Sequence, residues 1–110
     1  MLFISWNING LTNRFDEVKQ LLHEYAPDFL SLQKVRSNTD RNRFEIDGYH
    51  QLFAPQDCGD WSGVPTYAKI DSDNTVIPER IQTPALSQNG HLQVFDCKSF
   101  ALINAYVPIR

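Results

Sequence analysis

The sequence predicts one α/β domain built on a mixed, mostly antiparallel sheet that opens with a βαβ unit. Three observations carry this. Two short apolar runs, Leu2 to Trp6 and Phe29 to Gln33, flank a segment with helical spacing. The runs that follow are short, β-rich and separated by polar connections, which favours antiparallel neighbours. A chain of 110 residues with 42% hydrophobic content is long enough for one core and too short for two.

The elements follow in order. Leu2-Phe3-Ile4-Ser5-Trp6 is closed by Asn7, Asn9 and Gly10, so it reads as a buried strand feeding a loop, and a site belongs at that C-terminal end. Asn13 suits a helix N-cap, Asp16 and Glu17 suit the positive end of the helix, and Phe15, Val18, Leu22 and Tyr25 recur at helical spacing. These predict an amphipathic helix from about Arg14 to Tyr25. Ala26-Pro27-Asp28 stops it, and Phe29 to Gln33 is a second buried strand, parallel to the first across a right-handed crossover. Strands are then expected at Tyr49 to Ala54 and near Val64 to Ile70, as antiparallel neighbours joined through the loop Pro55 to Trp61. Leu92 to Phe95 and Phe100 to Val107 flank the connection Asp96-Cys97-Lys98-Ser99 like a hairpin. The last strand is apolar enough to be buried on both faces, and no covering helix follows it, so a partner or the rest of a larger domain is expected to cover it.

Composition excludes several function classes. Apolar runs such as Phe29 to Leu32 and Phe100 to Ile103 are far shorter than a bilayer span, and the N-terminus lacks a basic signal region, so no membrane partner and a cytoplasmic location are expected. Cys58 and Cys97 lack a metal-ligand spacing and are expected to be reduced structural thiols. A net charge of −3 rules out an all-over electrostatic grip on nucleic acid, so any contact must be local. The basic cluster runs from Lys34 to Arg43, with four cations against one acid. His23, His50 and His91 stand in no recognisable dyad with a carboxylate and read as structural or surface groups. Asp71, Asp73 and Asn74 lack the Gly and distal Glu of a metal loop and read as a turn.

Four segments carry a resemblance. Ser5-Trp6-Asn7-Ile8-Asn9-Gly10-Leu11, Pro27-Asp28-Phe29-Leu30-Ser31-Leu32-Gln33, Trp61-Ser62-Gly63-Val64 with Tyr67-Ala68-Lys69, and Leu102-Ile103-Asn104-Ala105-Tyr106-Val107-Pro108 occur in that order at fitting intervals. Together they resemble the N-terminal half of exonuclease III-like apurinic/apyrimidinic endonucleases, of the endonuclease/exonuclease/phosphatase superfamily. The resemblance implies half of a four-layer α/β sandwich, residues 1–110 forming one partial domain. It implies a DNA-repair hydrolase, a Mg²⁺-dependent DNA phosphodiesterase.

By the same resemblance Asn7 and Tyr106 are the candidate catalytic residues, Asn7 at the metal and phosphate end and Tyr106 orienting the scissile phosphate. An amide at a strand end can hold a water or a phosphate oxygen, and a phenol can donate to an anion. On composition alone Asn7 opens a turn and Tyr106 is a half-buried core aromatic. Asn9, Lys34 and Arg36 are the candidate phosphate or nucleic-acid contacts, Arg36 being equally readable as a solvated loop residue. Lys34 departs from the family, which has a metal-binding glutamate there. An ammonium removes a hard oxygen ligand and adds repulsion, while it can neutralise a phosphate directly. No metal ligand is therefore assigned in this chain, and Mg²⁺, the family's cofactor, is not expected to bind to it alone. The family's Asp-x-Asn segment, later aspartate and terminal Asp-His pair lack counterparts. The chain is thus expected to be inactive by itself, pairing with a second copy or a separate C-terminal half, with DNA as the ligand. A catalytically dead module that binds nucleic acid or protein and self-associates is the alternative.

Overall fold

The computed structural model describes residues 1–35, 41–52, 64–70, 92–96 and 100–106. Arg36, the loop Pro55 to Trp61, the Asp71 to Asn74 turn, Cys58, Cys97 and His91 lie outside the described residues. Strand β1 (Phe3–Asn7) leads through a 3-10 turn into helix α1 (Phe15–Tyr25), and β2 (Phe29–Gln33) follows. Then come β3 (Tyr49–Leu52), β4 (Thr66–Lys69), β5 (Leu92–Asp96) and β6 (Ala101–Ala105). One sheet has the order β1-β2-β4-β3, and β5 pairs with β6 in a second sheet. Among the described strands only β1 and β2 are parallel, the direction that the α1 crossover imposes, and the other pairs are antiparallel.

The centre of the fold is β2, buried at all five positions. Its alternate side chains face two different layers. Leu30 and Leu32 join Tyr67, Val18 and Leu22 in the core under α1, with Ile8, Leu11, Val35 and Phe44. On the opposite face, Phe29 with Leu52 and Ala68 packs against Phe100 and Leu102 of the β5–β6 hairpin. Each fully buried Leu or Phe contributes roughly 1.5–3 kcal/mol. The order of layers is therefore helix, sheet, hairpin.

Three expectations need correction. The first strand is an edge strand with alternating exposure, not a buried one, because β5–β6 covers the neighbouring β2 and leaves Phe3, Ser5 and Asn7 exposed. Along the last strand Leu102 and Asn104 turn inward and Ile103 is 63% exposed. Asn13 does not cap the helix. It sits within the 3-10 turn Thr12–Arg14, which moves the helix start to Phe15 and makes Arg14 the N-cap, without a side-chain cap bond. Tyr25 leaves the apolar stripe and is exposed, since the chain reverses just after it at Ala26, in the left-handed region with φ 42°. The face of β2 opposite α1 is covered by the chain's own hairpin.

Candidate functional site

Because β1 and β2 are parallel, their C-terminal ends lie on one rim, where sheets of this kind leave room for ligands. Asn7 stands opposite Gln33 in the register. The ladder continues past the strands: Ile8 N–H donates to Gln33 O at 3.0 Å, Gly10 N–H to Lys34 O at 2.9 Å and Leu11 N–H to Val35 O at 2.9 Å. These bonds hold the two loops side by side, so Asn7, Asn9 and Lys34 share the rim. Asn7 and Asn9 are exposed and Lys34 is half-buried.

The backbone there is unusual. Asn9 has φ 49°, Gly10 φ 107° and Lys34 φ 59°. Glycine adopts this region freely and asparagine tolerates it, whereas a lysine incurs a cost of roughly 1–2 kcal/mol. At Lys34 the turn is held in place by the ladder rather than by local preference.

Tyr106 belongs to the other sheet's end of the chain. It is half-buried and follows β6 two residues after Asn104. Asn104 is almost completely buried and tied to the end of β2: Gln33 Nε2 donates to Asn104 Oδ1 at 2.8 Å and to Ser5 Oγ at 2.9 Å. Asn104 Nδ2 faces Leu32 O at 3.1 Å, Val64 O at 2.9 Å, Pro65 O at 3.1 Å and Thr66 Oγ1 at 3.3 Å. Ser31 and Thr66 hydroxyls, 3.1 Å apart, extend this buried polar ladder. Gln33 and Asn104 were not singled out from the sequence. The available signal was two amides at inward positions of otherwise apolar strands.

The donor set can be tested against a divalent cation. The rim offers the amides of Asn7 and Asn9 and the ammonium of Lys34, and a hard ion such as Mg²⁺ takes carboxylate and other oxygen ligands. Among the described residues no three His, Cys, Asp or Glu side chains cluster as a metal site. These residues do not fit Mg²⁺ by themselves. They do suit an anion, which amide N–H groups and an ammonium can meet directly.

Elsewhere, His23 and His50 are exposed, on α1 and β3. A groove of about 530 Å³, lined in part by Lys19, His23, Asp47 and Lys69, opens at the opposite end of β2 from Lys34. Burial pushes the Tyr67 phenol well above the ordinary tyrosine range, and its OH donates to Phe44 O at 2.6 Å. Desolvation, then the charge of Asp28, raises Tyr49 as well. No described helix is long and apolar enough to cross a membrane.

No protein-family model matches the chain. Exodeoxyribonuclease III of Haemophilus influenzae is 38% identical over 53 residues, covering 46% of this chain and 20% of that protein. An AP endonuclease of Leishmania major superposes with a TM-score of 0.72 at 23% identity, covering 96% of this chain and 40% of that one. The chain resembles exonuclease III-like AP endonucleases in sequence and in fold. A Neisseria 3′ phosphatase bound to a product DNA hairpin superposes with a TM-score of 0.64 at 23% identity, covering 96% of this chain and 41% of that one. The chain thus spans about two-fifths of the length of these structures.

Proposed function

We propose that this chain supplies the phosphate-backbone-binding part of a Mg²⁺-dependent DNA phosphodiesterase of the exonuclease III type, and does not cleave DNA by itself. The observation that carries the reading is the common rim of Asn7, Asn9 and Lys34, to which β6 and Tyr106 are tethered through Gln33 and Asn104. Lys34 neutralises a phosphate oxygen, Asn7 and Asn9 donate amide hydrogens, and the Tyr106 phenol donates to the same backbone. Arg36, two residues beyond Lys34 in the sequence, adds a second cation. Carboxylate ligands for Mg²⁺ and a general base come from a separately supplied C-terminal half. The likeness to Haemophilus exodeoxyribonuclease III and to a DNA-bound Neisseria fold relative supports DNA as the ligand.

The test is cleavage and binding of an abasic-site duplex, with and without Mg²⁺, by the natural chain, Lys34→Glu and Tyr106→Phe. No cleavage is expected from any of the three. Lys34→Glu should weaken binding, and the slope of log affinity against log salt should fall by about 1 for each lost phosphate contact. Cleavage by the natural chain that Tyr106→Phe abolishes would overturn the inactive reading. The Lys34 ammonium favours a second reading, a catalytically dead module that binds nucleic acid or protein and self-associates. Duplex binding unaffected by chelating Mg²⁺, with no activity on adding a C-terminal half, decides for it.

A further inference from the structure

We propose that the Gln33–Asn104 amide pair is a positioning latch that sets where β6, and with it Tyr106, sits over the rim carrying Asn7 and Lys34. The hairpin meets the main sheet face to face, and its apolar contacts are Phe100 and Leu102 against Phe29, Leu52 and Ala68. Such contacts are non-directional and tolerate sliding. Asn104 is different. It is 1% exposed and Gln33 8% exposed, so unpaired amides here would carry a heavy desolvation cost.

In the observed register each amide finds partners. Gln33 Nε2 donates to Asn104 Oδ1 at 2.8 Å, and Asn104 Nδ2 is surrounded by the carbonyls of Leu32, Val64 and Pro65. A slip of β6 by one residue turns Ile103 or Ala105 inward, and a slip by two brings Leu102 or Tyr106 to Gln33. Either leaves buried amide and carbonyl groups without partners, so only one placement is satisfied. The amide orientation is fixed too. Rotating Asn104 by half a turn would set its oxygen against three carbonyl oxygens. Gln33 immediately precedes Lys34 and stands opposite Asn7, so the latch joins the two sheets at the rim itself.

This proposal concerns the position of Tyr106 and stands whether or not Tyr106 meets DNA. The test follows ring signals of ¹³C-labelled tyrosine by NMR, with Tyr106 assigned by Tyr106→Phe and the core residues Tyr49 and Tyr67 as internal references. Two variants are compared. Gln33→Met keeps the length and removes the donor. Gln33→Glu can donate to Asn104 Oδ1 only when protonated, and its ionised form sets oxygen against oxygen.

In Gln33→Met the Tyr106 signal should shift or broaden while Tyr49 and Tyr67 hold. In Gln33→Glu the natural Tyr106 signal should return on acidification, with a midpoint above the usual glutamate value of about 4.3, because the site is buried. The side chains bonded to the pair, Ser5 and Thr66, do not titrate. Lys34, the charged group next in sequence, acts the other way, favouring the ionised form. A Tyr106 signal unchanged in Gln33→Met, or insensitive to pH in Gln33→Glu, overturns the latch. If Gln33→Met does not fold, the Gln33→Glu titration decides alone: all tyrosines moving together means general core support and also overturns it. Duplex binding measured in parallel separates the two proposals, since a displaced Tyr106 with unchanged affinity leaves the latch standing and removes Tyr106 from DNA contact.

Discussion

Tyr67 shows how one residue binds the core to the sheet. It lies on β4 opposite Leu30, 1% exposed, and its hydroxyl donates to the carbonyl of Phe44 at 2.6 Å. Tyr67→Phe keeps the ring packing and leaves that buried carbonyl without this donor. A loss of about 1–2 kcal/mol is expected from urea unfolding at neutral pH. The same hydroxyl links stability to pH. Its folded pKa is raised, so above the unfolded value of about 10 the unfolded chain releases a proton that the folded chain keeps. Stability from this group is complete below pH ~10 and falls as pH rises further. The gap between natural chain and Tyr67→Phe should therefore narrow in alkali, and a constant gap up to the limit of folding would contradict the assignment.

At the scale of elements, the ends of α1 matter more than its middle. Its buried face, Val18 and Leu22, was legible from helical spacing, as were Asp16 and Glu17 in the first turn. The cap was not. Ala26 closes the helix with φ 42°, its N–H donating to Leu22 O at 3.0 Å, a conformation that suits glycine. Ala26→Gly is expected to stabilise the fold by about 1 kcal/mol, read as a higher urea midpoint at unchanged slope. A lower midpoint would mean that the entropy of the unfolded glycine outweighs the relief of strain. The strands follow a similar rule. Apolar runs located β2, β3 and β4, but exposure along β1 and β6 depends on which neighbour lies over each face.

For the whole molecule, the surface that remains apolar is the open question of assembly. Phe3 is 47% exposed although it stacks on Phe29 with ring centroids 5.2 Å apart, and Leu2 is 43% exposed beside it on the same edge. Pairing with a second copy or a separate C-terminal half, part of the proposed function, would bury this edge. Sedimentation at micromolar concentration is expected to give a mass above the 12.7 kDa of one chain, and Phe3→Asp should return it to that value. A well-folded monomer for the natural chain would leave only a separate half as partner.

Local pattern in the sequence was enough for the βαβ opening, the antiparallel pairs, and the resemblance to exonuclease III-like endonucleases. Each rests on residues close together in the chain, or on motifs read without knowing their contacts. Asn7, Asn9 and Lys34 were legible as candidates through the resemblance to exonuclease III-like endonucleases. Their common rim depends on the parallel register of β1 and β2, a long-range choice. Burial misled for the first strand, since a run such as Leu2 to Trp6 does not record what packs against it. Above all, Gln33 and Asn104 stand 71 positions apart, and their bond exists only once the hairpin folds over β2. The sequence alone determined the order and type of the local elements and named candidate side chains; tertiary structure decided which residues lie side by side, because hydrogen bonds between layers have no signature in either strand by itself.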